Sequence, residues 1–371
     1  MLLIRARICK GGKTMNENRE VIISAKDIEV QFRVRDKYLT AIRNVSLDLY
    51  KGETFAIVGE SGSGKSVFTK TFTGMLESNG KITNGSVMFH GTDLTKLRKD
   101  KDWEGIRGAK ISTIFQDPMT SLNPIRTIGF QITEVIEKHQ KISKSAAKKQ
   151  AIEMMERVGI PDAANRFDEY PFQYSGGMRQ RIVIAIALSC HPEILICDEP
   201  TTALDVTIQA QIIDLIRDLQ RELGFTTLYI THDLGVVANV ADRVGVMYGG
   251  QIIEYGTVEE IFFDPQHPYT WALLSSLPQI GVKGQDLYYI TGTPPSLFNK
   301  IQGDAFAPRN ERALNIDFVE EPPFFQVSDT HFAKTWLLDP RAPKVEKPEA
   351  IHNLHEKIQK MTEKGGAFHV E

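Results

Sequence analysis

The sequence predicts an α/β protein with a mostly parallel sheet, an antiparallel β layer before it, an inserted helical subdomain and an irregular C-terminal extension. Three observations support this prediction. Apolar and polar residues alternate over residues 22–50, as in an antiparallel layer. Short apolar runs alternate with helical patterns near residue 54 and again over 194–247, as in a parallel sheet. Residues of about 120–190 show helical periodicity and no convincing strand.

A glycine-rich loop follows the first buried strand, Thr54–Val58. The loop fits G-x-x-x-x-G-K-[ST] at every specified position, and a stretch suited to a helix runs from Val67 to Leu76. Backbone N–H groups of such a loop converge on phosphates, and the helix N-terminus adds partial positive charge. This context disfavours a glycine-rich turn with a chance Lys-Ser. The sequence therefore predicts a nucleoside triphosphate site at Gly59, Glu60, Ser61, Gly62, Ser63, Gly64, Lys65 and Ser66.

Two carboxylates follow a second apolar run, Ile194–Glu199, which is typical of a central parallel strand. Ligands of open α/β sheets bind at the carboxyl ends of such strands. We therefore expect Asp198 to hold Mg²⁺ through water, together with the Ser66 hydroxyl. Glu199 is expected to orient or deprotonate an attacking water. Pro200 favours a sharp exit from the strand over the alternative of an acidic helix cap.

A histidine, His232, follows a third strand, Thr226–Thr231. One helix and one strand separate it from the carboxylates, which places it on the neighbouring strand facing the γ-phosphate. The alternative is an ordinary loop histidine satisfied by its neighbours.

The motifs resemble, in number and order, those of the ATPase subunits of ABC transporters. The resemblance covers roughly residues 22–300 and implies a P-loop ABC-type ATPase core, in which a RecA-like sheet carries an antiparallel β layer. It implies ATP and Mg²⁺ as cofactors. The segment Tyr174–Met178 resembles the signature loop, usually Leu-Ser-Gly-Gly-Gln, with its Ser-Gly-Gly intact. The motifs are the phosphate loop, Gln116, Ser175-Gly176-Gly177, Asp198-Glu199, Ala203-Leu204-Asp205 and His232.

The resemblance also implies roles for single residues. Ser175, Gly176 and Gly177 would bind the ATP held by the opposite subunit, and Asp205 would close the dimer. Gln116 would complete the Mg²⁺ site with Ser66 and Asp198 and link it to the membrane partner. Phe32 would stack on adenine, although a core position in its strand is an equal alternative.

Three further segments, 115–124, 231–237 and 267–278, resemble the oligopeptide and dipeptide importers. Nickel importers share most of these strings, so an importer of nickel or another solute is the alternative. The resemblance implies a second, related ATPase subunit, two transmembrane permeases and an extracellular peptide-binding protein. It places the chain at the cytoplasmic face of the membrane, as a peripheral subunit.

Composition disfavours several other classes. The 371 residues carry a net charge of −3, which argues against a nucleic-acid partner. Cys9, Cys190 and Cys197 lack metal-like spacing and suit a reducing compartment. No stretch approaches the roughly 18–20 apolar residues that span a bilayer. A GTPase would carry Asn-Lys-x-Asp after a strand, and a soluble ABC ATPase usually carries a coiled coil or two cassettes; we find neither.

The motifs and composition suggest three regions. Residues 1–20 are expected to be a disordered leader with the functional start at Met15, since Lys10-Gly11-Gly12 can be encoded by a ribosome-binding sequence. Residues 21–265 would form the ABC ATPase domain, and 266–371 a peptide-importer extension ending in a helix over Glu349–Lys364. Eight of the 17 prolines lie between Pro294 and Pro348, which predicts extended or turning backbone there.

In related importer ATPases this extension often carries a cysteine cluster that resembles an iron–sulfur ligand set. Such clusters are held by thiolates, and no cysteine follows Cys197 in this chain. No iron–sulfur cluster is therefore expected. The residues standing at the expected cysteine positions are Asp304, Asn310, Asp317 and Thr335.

Overall fold

The structure is a computed structural model, and it describes residues 19–116, 121–201, 205–276 and 290–352. Residues 1–18 of the predicted leader, with its start at Met15, and the greater part of the predicted C-terminal helix lie outside the described residues. Glu20, at the end of the predicted leader, accepts a hydrogen bond from the Lys51 N–H at 2.9 Å. In these ranges, no helix combines the length and the apolar character needed to cross a bilayer.

The described ranges contain two sheets with helices around them. The strands are β1 (Val21–Val34), β2 (Lys37–Tyr50), β3 (Thr54–Val58), β4 (Gly80–Phe89), β5 (Thr92–Asp93), β6 (Ile111–Ile114), β7 (Ile194–Asp198), β8 (Thr226–Ile230), β9 (Arg243–Tyr248), β10 (Gln251–Thr257), β11 (Phe325–Gln326) and β12 (Phe332–Ala333). The helices are α1 (Lys65–Thr73), α2 (Asp100–Trp103), α3 (Ile128–His139), α4 (Lys144–Arg157), α5 (Ala163–Arg166), α6 (Gly176–Leu188), α7 (Val206–Leu223), α8 (Leu234–Val240), α9 (Val258–Phe263), α10 (Pro268–Ser275) and α11 (Glu349–His352).

The antiparallel layer has the strand order β2-β1-β4-β5. The alternation predicted over 22–50 is confirmed, since β1 and β2 pair from Val21–Tyr50 to Val34–Lys37. One face of this pair lies in the core. Its side chains Ile23, Ile28 and Leu49 have no exposed surface. Half-buried alternation of this kind is what fixes strand register.

The main sheet has the order β11-β12-β10-β9-β3-β8-β7-β6, and its strands from β9 to β6 are parallel. The predicted strands β3, β7 and β8 are confirmed and are neighbours. All five residues of β3 and of β8 are buried, as the apolar runs predict for a sheet covered on both faces. Because the three strands run in parallel, the phosphate loop, the carboxylates and His232 follow strand ends at one edge.

Between β6 and β7, the described residues form the helices α3 to α6 and no strand. Met155 of α4 and Val158, which follows that helix, are completely buried. Ser143 caps α4 by accepting a hydrogen bond from the N–H of Ala146. These helices place the Ser-Gly-Gly segment at the start of α6.

The helix after the phosphate loop is shorter than predicted. It was expected to continue to Leu76, but α1 ends at Thr73. Gly74 adopts a left-handed conformation with φ of 59°, and a Cβ at this position would lie 2.3 Å from the Trp103 ring. The end is therefore set by a C-terminal glycine cap beneath a tryptophan from a distant segment.

The C-terminal extension adds two short strands to the main sheet. Glu254 and Tyr255 of β10 pair with Ala333 and Phe332 of β12, and β11 continues the order outward. A buried hydrogen bond, between His331 Nε2 and Glu254 Oε1 at 2.8 Å, lies at this junction. The remaining described extension consists largely of turns and short 3₁₀ helices, in keeping with its prolines.

Candidate active site

The phosphate loop turns sharply between β3 and α1. Gly62 and Gly64 have φ values of 80° and 105°, which side-chain-bearing residues rarely adopt. A Cβ on Gly59 would lie 2.1 Å from the carbonyl oxygen of Met247 on β9. The loop conformation therefore requires these glycines both for backbone angle and for space.

Lys65 is folded back over its own loop. Its Nζ donates to the carbonyl oxygens of Gly59 and Glu60 at 2.7 and 2.9 Å. Burial lowers the pKa of Lys65, and the carboxylates of Glu199 and Asp198 oppose that shift. The Ser63 hydroxyl is buried without a hydrogen-bond partner among the described residues. A cation and an unpartnered hydroxyl in one glycine-rich loop suit the oxygens of a phosphate.

A hydrogen bond of 2.9 Å joins the phosphate loop to the carboxylate strand, from Ser66 Oγ to Asp198 Oδ1. Burial raises the pKa of Asp198, while the Ser66 hydroxyl lowers it. A hydroxyl and a carboxylate are hard oxygen ligands of the kind Mg²⁺ prefers beside nucleotide phosphates. The two residues therefore fit the Mg²⁺ role that the sequence predicts.

Glu199 is held on both carboxylate oxygens. Gln116 Nε2 donates to its Oε2 at 3.2 Å, and His232 Nδ1 lies 3.2 Å from its Oε1. Its backbone is left-handed, with φ of 47°, and its N–H donates to the Ile230 carbonyl at 2.9 Å. The structure thus brings Gln116, Glu199 and His232 together at the sheet edge that carries Lys65, Ser66 and Asp198.

The Ser-Gly-Gly segment and Asp205 lie at the N-termini of two packed helices. Ser175 Oγ accepts from the N–H of Met178 at 3.4 Å, and Asp205 Oδ1 accepts from the N–H of Ile208 at 3.0 Å. A Cβ on Gly177 would approach the Ile208 side chain to 2.8 Å. Within the described ranges, no hydrogen bond connects this segment to the phosphate loop of the same chain.

Comparison with known proteins identifies the family. The ABC transporter family model matches residues 42–202, and the model of the oligopeptide/dipeptide transporter C-terminal region matches residues 253–316. The oligopeptide transport ATP-binding protein AmiE of Streptococcus pneumoniae is 67% identical over 96% of this chain and 99% of its own length. The chain belongs to the ABC transporter family.

Other members of the family agree with this assignment. The oligopeptide transport ATP-binding protein OppD of Bacillus subtilis is 54% identical over 92% of this chain and 96% of its own length. Among solved structures, the ATP-binding cassette MJ0796, dimeric and bound to ADP and Pi, superposes with a TM-score of 0.56 at 28% identity. That match covers 64% of this chain and 98% of the cassette. The predicted ABC-type ATPase core is thereby confirmed.

In this ABC transporter ATPase, Phe32 lies within the antiparallel layer. Its side chain is 8% exposed, and a Cβ on Gly80 would lie 2.5 Å from its ring. This packing agrees with the core alternative, and stacking on adenine stays a prediction.

Three further side chains contact the candidate site and were not predicted from the sequence. Gln180 of α6 is completely buried and donates to the carbonyl of Pro200 at 2.6 Å, next to Glu199. It stands between Arg179 and Arg181 in the sequence, so its immediate neighbours do not mark it as buried. Tyr269 and Arg309 of the extension both contact Glu60 of the phosphate loop. No local pattern could have revealed them, because Arg309 lies 249 residues from its partner.

The residues at the expected cysteine positions share one local role. Each side chain accepts a hydrogen bond from a nearby backbone N–H, at distances between 2.6 and 3.3 Å. Among the described residues, no group of three or more His, Cys, Asp or Glu side chains could hold a metal. That the chain carries no iron stays a prediction. The four pairs are Asp304 with Phe306, Asn310 with Arg312, Asp317 with Leu314 and Thr335 with Leu337.

Proposed function

We propose that this chain is the ATP-hydrolysing subunit that energises oligopeptide uptake through an ABC importer, at the cytoplasmic face of the membrane. The observation that carries the proposal is the meeting of Lys65, Asp198 and Glu199 at one sheet edge, in a chain whose residues 253–316 match the oligopeptide/dipeptide transporter region. The named roles of AmiE and OppD support the same substrate class.

The phosphate side of the site follows from the loop. Loop N–H groups and the Lys65 ammonium would bind the triphosphate, because both present positive charge to one concavity. Ser66 and Asp198 would hold Mg²⁺, which when bound neutralises charge on the phosphate oxygens. Gln116 lies within reach of this site through Glu199.

Glu199 would act on the attacking water. Hydrogen bonds from Gln116 and His232 restrict its carboxylate to one orientation. A fixed carboxylate can accept a proton from water without reorganising, which is the requirement for a general base. His232 and Gln116 would therefore position Glu199 as well as contact the substrate.

Completion of the site would need a second ATPase subunit, a related and different chain. Its phosphate loop would face Ser175, Gly176 and Gly177 of this chain, with Asp205 at the twofold interface. The small residues and the backbone N–H groups at the start of α6 suit an approaching phosphate.

The membrane partner would dock on exposed apolar side chains of the helical subdomain. Ile125 is 79% exposed and Phe172 is 72% exposed, and their two segments are joined by the hydrogen bond from Ile128 N–H to the Glu169 carbonyl. The Phe172 ring also stacks on Tyr170, with ring centroids 5.8 Å apart. Contiguous exposed apolar surface is typical of protein contact sites. We assign these two segments to contact with the two transmembrane permeases, which would receive solute from an extracellular peptide-binding protein.

The test is reconstitution. The chain would be co-expressed with its second ATPase subunit and permeases, placed in vesicles with the binding protein, and assayed for ATP hydrolysis. Oligopeptide should stimulate hydrolysis and be taken up, and Lys65→Ala should abolish both. Stimulation by Ni²⁺ instead of peptide would contradict the proposed substrate, and failure to associate with the permeases would contradict the transport role.

A further inference from the structure

Arg309 of the C-terminal extension forms an ion pair with Glu60 of the phosphate loop. Its guanidinium donates to both carboxylate oxygens of Glu60, from Nη1 to Oε2 at 2.8 Å and from Nη2 to Oε1 at 3.1 Å. The Arg309 side chain is 6% exposed and that of Glu60 is 26% exposed. A two-point, largely buried contact between charged groups is stronger and more directional than a surface ion pair.

The guanidinium is itself fixed in place by the extension and the sheet. Its Nε donates to the Thr291 carbonyl at 2.9 Å, and Nη1 also donates to the Tyr248 hydroxyl at 3.1 Å. The Phe306 ring lies 6.0 Å from the guanidinium carbon and packs edge-on against Tyr248. Arg309 therefore has one orientation available, and Glu60 meets a preformed partner.

Tyr269 makes a second contact with the same residue. Its hydroxyl accepts a hydrogen bond from the Glu60 N–H at 2.8 Å, and its side chain is completely buried. The ring packs on Tyr248 at 4.6 Å and on Phe306 at 5.3 Å. The extension thus holds both the backbone and the carboxylate of Glu60.

The remaining polar group of Glu60 faces the site. Its carbonyl accepts from Lys65 Nζ at 2.9 Å. Glu60 therefore connects the extension on one side with the lysine of the phosphate loop on the other. Residues that restrain a loop in this way reduce the conformational entropy that the loop loses when its ligand binds.

We infer that the C-terminal extension is a positioning element for the phosphate loop, in which Arg309 and Tyr269 hold Glu60 so that Lys65 and the loop N–H groups are prearranged for MgATP. Arg309 and Tyr269 are positioning residues, since they act through Glu60. The inference rests on the proposed ATP hydrolysis, and it gives the extension a role in nucleotide affinity that is separate from the transported solute.

The test is MgATP binding by the full-length chain, followed by steady-state kinetics of the assembled complex. Arg309→Ala should weaken MgATP binding roughly 10-fold, as expected for loss of a charge-assisted contact. The KM for ATP should rise by a similar factor with kcat changed by less than about 2-fold, because uniform binding is lost. Tyr269→Phe, which keeps the ring, should weaken binding in the same sense, and Arg309→Lys should lie between wild type and Arg309→Ala.

A control and a double variant make the test specific. Lys347 pairs with Asp264 and also joins the extension to the domain, but away from the loop. Lys347→Ala should bind MgATP as wild type does. Glu60→Gln combined with Arg309→Ala should bind no more weakly than Arg309→Ala alone, because the two residues share one interaction.

Two outcomes would overturn the inference. One is wild-type MgATP affinity in both Arg309→Ala and Tyr269→Phe, and the other is an equal loss in Lys347→Ala. A wild-type chain that binds MgATP but never responds to peptide would instead contradict the proposed solute, while the comparison of variants would still decide the role of Arg309.

Discussion

Glu199 has an unusual conformation for a residue with a side chain. Its φ of 47° lies in the left-handed region, which costs free energy for residues other than glycine. The surrounding hydrogen bonds determine it: Ile230 accepts from its N–H, and Gln180 holds the carbonyl of the following Pro200. Backbone strain retained beside a phosphate loop is consistent with a carboxylate placed for chemistry.

Replacement of Glu199 by glutamine tests this role. The amide keeps the shape but loses the charge that polarises water, while Lys65, Ser66 and Asp198 still bind MgATP. Hydrolysis by the assembled complex should fall by about 10²- to 10⁴-fold, with ATP binding retained. Glu193→Gln, the same change just before β7 at its other end, should leave hydrolysis unchanged. Near-normal turnover in Glu199→Gln would remove this residue from the mechanism.

At the scale of residues, the sequence predicts those site residues that lie close together in the chain. The phosphate loop and the acids after β7 have fixed spacing because one turn or one strand end must supply all the ligands. Gln180 and Arg309 could not be predicted in this way. Each contacts a segment that is remote in sequence, 20 and 249 residues away, so only the folded chain brings the partners together.

At the scale of elements, the extension contains a buried carboxyl that opposes folding at high pH. Asp304 is 6% exposed, and burial raises its pKa from 3.8 to about 7, with the Asp317 carboxylate adding to the shift and the Phe306 N–H opposing it. Other charged or titratable side chains near it are Lys334, Glu321, Arg43 and, with Nε2 at 3.9 Å, His267.

The sign of the effect on stability follows from proton binding. Between pH of about 4 and about 7 the native Asp304 holds a proton that the unfolded chain has lost, so the free energy of unfolding falls as pH rises through this window. Asp304→Asn keeps an oxygen for the Phe306 N–H and removes the charge.

We therefore expect Asp304→Asn to raise the melting temperature at pH 8, with a gain in unfolding free energy on the order of 1–4 kcal/mol, and to have little effect at pH 4. Denaturant unfolding at both pH values measures the difference. Asp329→Asn, at an exposed position of the same extension, should change neither. Equal stability of Asp304→Asn and wild type at pH 8 would show that burial does not raise the pKa of Asp304 in the native protein.

Buried strands with continuous apolar runs were predicted better than strands of two residues. The strands β3, β7 and β8 have apolar runs that any parallel sheet would need. The hairpin of β11 and β12 has two residues in each strand, too few to carry a pattern, and forms because β10 offers it an edge. The end of α1 at the Gly74 cap has a local signal, whereas the packing of Trp103 against that glycine comes from a separate segment.

At the scale of the whole molecule, the proposed function assigns two different halves of a nucleotide site to one chain. The phosphate loop with Asp198 and Glu199 would form one half, and the Ser-Gly-Gly segment at the start of α6 would form the other. The described residues show no hydrogen bond between them. This separation is what a site completed by a second subunit requires, and it predicts that damage to the Ser-Gly-Gly segment acts on the partner's ATP.

Ser175→Arg tests that arrangement. Ser175 is exposed, so an arginine fits the isolated chain, and its own MgATP binding should stay unchanged. In the assembled complex the bulky cation would block the approach to the partner's phosphates, and hydrolysis there should fall roughly 10²-fold, as on loss of a preorganised donor. In a Glu199→Gln background, ATP should also no longer hold the two subunits together, as measured by light scattering.

Ser143→Arg is the matched control, because Ser143 is likewise an exposed helix cap, with its Oγ accepting a hydrogen bond from the N–H of Ala146 at 3.3 Å. An equal loss in both variants would reflect the missing cap alone, and normal hydrolysis in Ser175→Arg would show that the segment does not serve the partner's site.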